Sequence, residues 1–329
     1  MVPAASGRRP MGNFAARRLA GLLPILFGVS IVVFLVMRML PGDVASMILS
    51  GDRDGAAADP AAVAALRDQL GLNDPLWRQY LAWVGNMLML DAGNSLWSGK
   101  PVLAEIAQRI PLTVELALLA LAMSLVAGLA IGIICAVRQD SWLDLALRTV
   151  SVAGLTIPSF WLGTLVILGL ATFFRWVPPL GYVSLWQDPL VNLQQLFWPA
   201  LVIAFGNAAI IARMTRSSVV EVLREDYIRT ARAKGLGGRA VLVTHALRNA
   251  LLPVLTIAAI EFGSLLSGAV VMETIFTLPG LGRYLIDAIF HRDYPVVQAV
   301  VLLLGLLFAL LNLTVDLLYG LIDPRIRHR

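Results

Sequence analysis

The chain has 329 residues, of which 58% are hydrophobic and only 14% charged, and its mean hydropathy is +0.79. A soluble domain carries roughly a quarter charged residues, so this composition excludes a water-soluble enzyme and a disordered chain alike and specifies a membrane protein. The net charge of +5 is parcelled into short loops between apolar runs, as membrane topology requires, so nucleic acid is not an expected partner.

Crossing a bilayer takes about 20 mostly apolar residues. An N-terminal arm, 1–18, carries Arg8, Arg9, Arg17 and Arg18 and precedes a first span at 19–37. That run is longer than a signal-peptide core and no small-residue cleavage site follows, so a retained span is expected. The region 38–111 reads as external. It holds a helical pattern from Asp59-Pro60 to Leu70, closed by Gly71, then an aromatic stretch with Trp77, Tyr80, Trp83 and Trp97 suited to a membrane interface.

A five-helix core at 112–320 follows. Its uncharged runs lie between Glu115 and Arg138, Arg148 and Arg175, Leu196 and Ala212, and Asp293 and Asp316, with one from Leu251 to Met272 interrupted only by Glu261. A tail at 321–329 ends the chain. The expected architecture is all-α, with six spans. The loop 213–248 contains Arg213, Arg216, Arg224, Arg229, Arg232, Lys234, Arg239 and Arg248, whereas Trp176 to Gln195 contains no Lys or Arg. This asymmetry predicts that both termini and the 213–248 loop face the cytoplasm.

Several chemistries are missing. The two lysines, Lys100 and Lys234, do not complete a phosphate-binding loop, and neither H-E-x-x-H nor G-x-S-x-G occurs. His245, His291 and His328 lack metal-ligand spacing, and the single Cys135 excludes an internal disulfide. No catalytic residue, metal or cofactor is expected in this chain. Transport or scaffolding remains.

The stretch Asp226-Tyr227-Ile228-Arg229-Thr230-Ala231-Arg232-Ala233-Lys234-Gly235 reads as a short helix with small residues at Thr230, Ala231 and Ala233, stopped by Gly235. Small residues admit another protein close to the backbone and the arginines add electrostatic docking. A basic loop gripping anionic lipid is the competing reading. The stretch resembles the EAA loop of permease subunits of binding-protein-dependent ABC importers, and more closely the dipeptide/oligopeptide/nickel group. The resemblance extends through Leu40-Pro41-Gly42-Asp43, Gln69-Leu70-Gly71-Leu72, Ile157-Pro158-Ser159-Phe160-Trp161, Glu273-Thr274-Ile275-Phe276, Pro279-Gly280-Leu281-Gly282, Asp293-Tyr294-Pro295 and Asp323-Pro324-Arg325. The glutamate of the general EAA motif is absent, with Arg229 or Thr230 near its place.

The resemblance implies a type I importer permease fold in a bacterial inner membrane. It also implies a second permease subunit of the C type, two ABC ATPases that hold ATP and Mg, and an external substrate-binding protein. Peptides are the cargo it implies, with nickel chelates or glutathione as alternatives. A channel or secondary transporter without ATPases is the reading from another class. By the same resemblance Tyr227, Arg229, Thr230, Ala231, Lys234 and Gly235 would couple to the ATPases. An outer turn with Pro279, Gly280, Gly282 and Asp293 would be a gate or a dock for the binding protein, with a plain interfacial helix as the alternative.

Glu261 stands out on physical grounds. A carboxylate at mid-membrane costs at least about 2.5 kcal/mol and usually faces a cavity or a partner. Either it lines a path, with Asn207, Ser264 and Ser159 as further lining candidates, or Asn207 or a hydroxyl satisfies it and it only supports packing. Pro158 is either a packing kink or a lining kink, and Ser264, Ser267 and Gly268 permit close helix approach. Asn312 and Asp316 match the family's Asn-x-x-x-Asp spacing.

Overall fold

A computed structural model describes residues 11–39, 42–50 and 59–322. The first ten residues, Leu40-Pro41 and the tail after Ile322 lie outside the described residues, as does the side chain of Asp316. The described residues form helices, with a single isolated bridge between Asn94 and Pro101. In chain order they are α1 (Met11–Met39), α2 (Val44–Ser50), α3 (Pro60–Gln69), α4 (Leu76–Leu88), α5 (Val102–Val137), α6 (Trp142–Thr156), α7 (Ser159–Phe173), α8 (Pro189–Val222) and α9 (Asp226–Ala233). A short α10 (Gly238–Ala240) passes through a π-helical turn, Val241–Ala246, into α11 (Leu247–Ile275), and α12 (Leu281–Phe290) and α13 (Tyr294–Ile322) follow.

Among the described residues five helices are long and apolar enough to cross a membrane, or six where a bent pair counts as one span. That pair is α6 and α7, which meet at 104°. The run between Arg148 and Arg175 is therefore bent sharply at its centre. Pro158 has no N–H to continue a helix and drives Ile157 into an extended conformation, φ −78° and ψ 121°.

Other boundaries moved too. Asp188 caps α8 by accepting from the N–H groups of Leu190 and Val191, with Pro189 at the first helical position, so this helix starts before Leu196 and runs on to Val222. Helix α5 starts at Val102, inside the region expected to be external. The Asp59 cap and the Gly71 stop (φ +64°) of α3 lie where the pattern placed them.

The chain divides into two compact units, the first reaching to Arg109 and including Tyr284–Leu313, the second spanning Ile110–Arg283 and resuming at Thr314. In the first unit, α4 packs on α1. The Phe34 ring stacks with Trp83 at 6.0 Å and meets Tyr80 edge-on at 5.3 Å, while Arg38 covers Phe34 and donates to Gln79. Tyr80 and Trp83 thus serve internal packing, and only Trp77 and Trp97 remain largely exposed.

The second unit is built around α8, whose apolar window is 61% buried against 22–28% for α5 and for the helical run Gly238–Ile275. Its core joins Leu112, Leu116, Leu196, Ile203, Leu265 and Met272. Small residues bring helices together. A side chain at Gly128 or Gly132 of α5 would collide with Ile211 or Thr215 of α8, and one at Gly163 of α7 would press on Met272.

Candidate functional site

Within the second unit, α6, α7, α8 and α11 border an open cavity of about 440 Å³, within the ~300–1,000 Å³ range of small-ligand sites. Ser159, Asn207, Glu261 and Ser264, the four residues chosen from the sequence for a path, all line it. The Ser264 hydroxyl lies 3.0 Å from Glu261 Oε2, 3.1 Å from Asn207 Oδ1 and 2.7 Å from the Glu261 carbonyl oxygen. The Asn207 amide nitrogen donates to the Ile203 carbonyl within its own helix at 3.0 Å. Gly154, Gly206, Ser267 and Gly268 complete the polar and small-residue lining. No Lys, Arg or His contributes to it.

The second element is the segment following α8. Because α8 continues to Val222 and helix resumes at Gly238, the connection is much shorter than 213–248. Helix α9 sits on a small core of Ile228, Ala231, Val241 and Ala246, against Val222, Leu223 and Leu242. Tyr227, Arg229, Thr230, Lys234 and Gly235 are exposed on it. Ala231 is not. At 7% exposure it faces the small core, so it supports the platform and does not present a docking surface. Its small size lets α9 approach the π-helical turn. Gly235 adopts φ +83° just beyond the C-cap Lys234, and its N–H closes the end of α9 on the Arg232 carbonyl at 2.9 Å. Only glycine takes this backbone without strain.

The outer turn differs most from its expected role. Pro279 is exposed, but Gly280 and Gly282 are buried. A side chain at Gly280 would collide with the Glu273 carboxylate, and one at Gly282 with Val270. Glu273 itself is fully buried. Its carboxylate accepts from Thr113 Oγ1 (2.6 Å) and from the N–H groups of Gly282 (2.6 Å) and Arg283 (3.1 Å), while Thr113 Oγ1 accepts from Leu281 N–H at 3.0 Å. The glycines make room for a carboxylate that satisfies the first turn of α12. In the first unit Asp293 is likewise buried, at 3% exposure. It accepts from Ser95 and from Leu96 N–H (3.1 Å), pinning the turn that leads into α5. Neither Asp293 nor the two glycines offers an open docking surface.

The chain matches the family described as binding-protein-dependent transport system inner membrane component over residues 128–328, and the N-terminal membrane component of the same systems over residues 11–117. The chain belongs to this permease family. Full-length relatives agree. The di/tripeptide transport system permease protein DppB of Pseudomonas aeruginosa is 43% identical over 97% of this chain and 100% of its own length. The glutathione transport system permease protein GsiC of Escherichia coli K12 is also 43% identical, with the same coverage of each chain. A chain of the inward-facing MetNI methionine ABC transporter shares the fold, with a TM-score of 0.55 at 18% identity over 67% of this chain and 96% of its own. The permease is thus a multi-pass membrane component of the ABC importer class.

Two features of the permease escape a reading of its sequence. Arg216 binds the fully buried Asp144 in bidentate fashion, Nε to Oδ1 at 3.1 Å and Nη2 to Oδ2 at 2.9 Å, with Arg148 at 3.7 Å. This pair ties α6 to α8 beside a second cavity of about 870 Å³ lined by Arg148, Arg213, Arg216 and Arg224. In the sequence Arg216 is one basic residue among the eight of the 213–248 stretch, and 72 residues separate it from Asp144. Glu273 was visible only as part of a family motif. The spacing Glu273 to Gly280-Leu281-Gly282 is the local signal of its role.

Proposed function

We propose that this permease forms half of the translocation path of an ATP-driven importer of short peptides. The carrying observation is the 43% identity, across essentially the whole chain, to a di/tripeptide permease and equally to a glutathione permease. Both named cargoes are short peptides. The cavity at Glu261 supports the reading, because a polar chamber between spans is otherwise costly. Glutathione is the alternative cargo within this reading, on the strength of the second relative.

The partners are a second permease subunit of the C type, two ATPases that bind ATP and Mg, and an external binding protein. This chain hydrolyses no nucleotide. Both termini and the α9 platform face the cytoplasm of a bacterial inner membrane, as the arginine asymmetry requires, and membrane lipid surrounds the outward faces of the spans. The exposed Tyr227, Arg229, Thr230, Lys234 and Gly235 meet the ATPase. Coupling follows from alternating access, with ATP binding on the partners closing the inner side.

The test assembles the permease with its partners in proteoliposomes and measures ATP hydrolysis and uptake on adding the binding protein with a dipeptide, glutathione or a nickel chelate. Stimulation and uptake by a short peptide support the reading. Uptake without any ATPase, or only of the chelate, overturns it.

A further inference from the structure

The wall of the 440 Å³ cavity has more acceptors than donors. The Ser264 hydroxyl has one proton, yet three oxygens lie within hydrogen-bond distance of it: Glu261 Oε2, Asn207 Oδ1 and the Glu261 carbonyl. The Asn207 amide nitrogen gives one of its two N–H groups to the Ile203 carbonyl, which leaves a single further N–H beside these oxygens. The remaining polar side chains of the lining, Ser159 and Ser267, bring one hydroxyl each, and no basic side chain lines the cavity. The same helix shows how such a group is satisfied internally, since Glu273 receives three donors.

We propose that Glu261, Ser264 and Asn207 form a subsite for a primary ammonium group, and that it reads the free amino terminus of the peptide in transit. An ammonium carries three N–H donors and a positive charge. It can donate to Glu261 Oε2 and Asn207 Oδ1 together while the Ser264 hydroxyl keeps its own acceptor. Charge-assisted bonds of this kind are roughly twice as strong as neutral ones. Glu261 is then a specificity-determining residue that lies within the permease. The inference rests on the peptide reading and deepens it.

The test uses the complete transporter in proteoliposomes, with a dipeptide and its N-acetylated form, each at a concentration saturating the binding protein so that capture does not limit. Glu261→Gln is expected to lower uptake of the free-amino peptide about tenfold, the loss expected for one charge-assisted contact, and to change uptake of the blocked peptide by less than about twofold. Glu261→Asp, which retains the charge, is expected to recover part of the difference. Ser264→Ala, which leaves the carboxylate, should reproduce the same selectivity more weakly. Equal loss on both peptides, or no loss on either at normal protein level, overturns the subsite and leaves the peptide reading intact. A wild-type complex that imports neither peptide overturns both.

Discussion

Helix α11 carries two glutamates twelve positions apart, Glu261 and Glu273, each set among apolar neighbours and each paired differently. Glu273 has a hydroxyl and two backbone N–H groups converging on its carboxylate from α5 and from the first turn of α12. Glu261 has one shared hydroxyl and a cavity. Composition and hydropathy treat the two alike. Donor supply separates them: the saturated carboxylate is part of the architecture, and the undersupplied one faces a chamber with acceptors to spare.

The largest expected effect tests the saturated side. Glu273→Ala strips acceptors from Thr113, Gly282 and Arg283 and should cost about 3 kcal/mol or more, read as a large drop in thermal unfolding temperature in detergent and in protein level in the membrane. A stability close to wild type would dissolve the contrast. Gly280→Ala is next. Its new methyl group enters the space of the Glu273 carboxylate and should cost about 1–3 kcal/mol, while Gly237→Ala, with open space around it, serves as the control. Denaturation midpoints of the pair should separate in that order.

Gly235→Val at the α9 platform forces a branched residue into φ +83°, a local cost of about 1–2 kcal/mol. Because no other atom stands near that position, insertion should remain normal while substrate-stimulated ATP hydrolysis falls. Normal coupling would return the loop to a role in topology alone. The smallest expected change in stability is at Glu261→Gln, within about 0.5 kcal/mol of wild type, because no donor loses its only acceptor there. A destabilisation matching Glu273→Gln, measured in the same unfolding experiment, would place both carboxylates in the architecture.

The legible parts of this molecule are those governed by local chemistry. Asp59 and Gly71 bound α3, Gly235 ends α9, Pro158 interrupts an apolar run, and apolar length marks the remaining crossings; each depends on residues a few positions apart. The 104° bend shows the limit of even a local signal. Pro158 announces a break, but the direction the chain takes afterwards depends on α8 and α11, against which α7 packs. The illegible parts are pairings across long separations. Asp144 finds Arg216 at 72 positions, and Thr113 finds Glu273 at 160. The inward orientation of Ala231 is illegible for the same reason, since it depends on Val241 and Ala246 folding back beneath α9. The cavity lining that includes Ser159, Asn207, Glu261 and Ser264 lies between these cases. Polarity within apolar runs picked out the four residues, while the excess of acceptors over donors needed coordinates.

The run from Gly238 to Ile275, π-helical turn included, is a continuous helical stretch of 38 residues, about 57 Å long at the usual α-helical rise. Its lower turns rest on the α9 platform, its middle carries Glu261, and its far end holds Glu273. A tilt of about 5° around its centre displaces each end by about 2.5 Å, enough to break or make a hydrogen bond. Any such tilt would move the platform and the Glu273 end farthest and the chamber least.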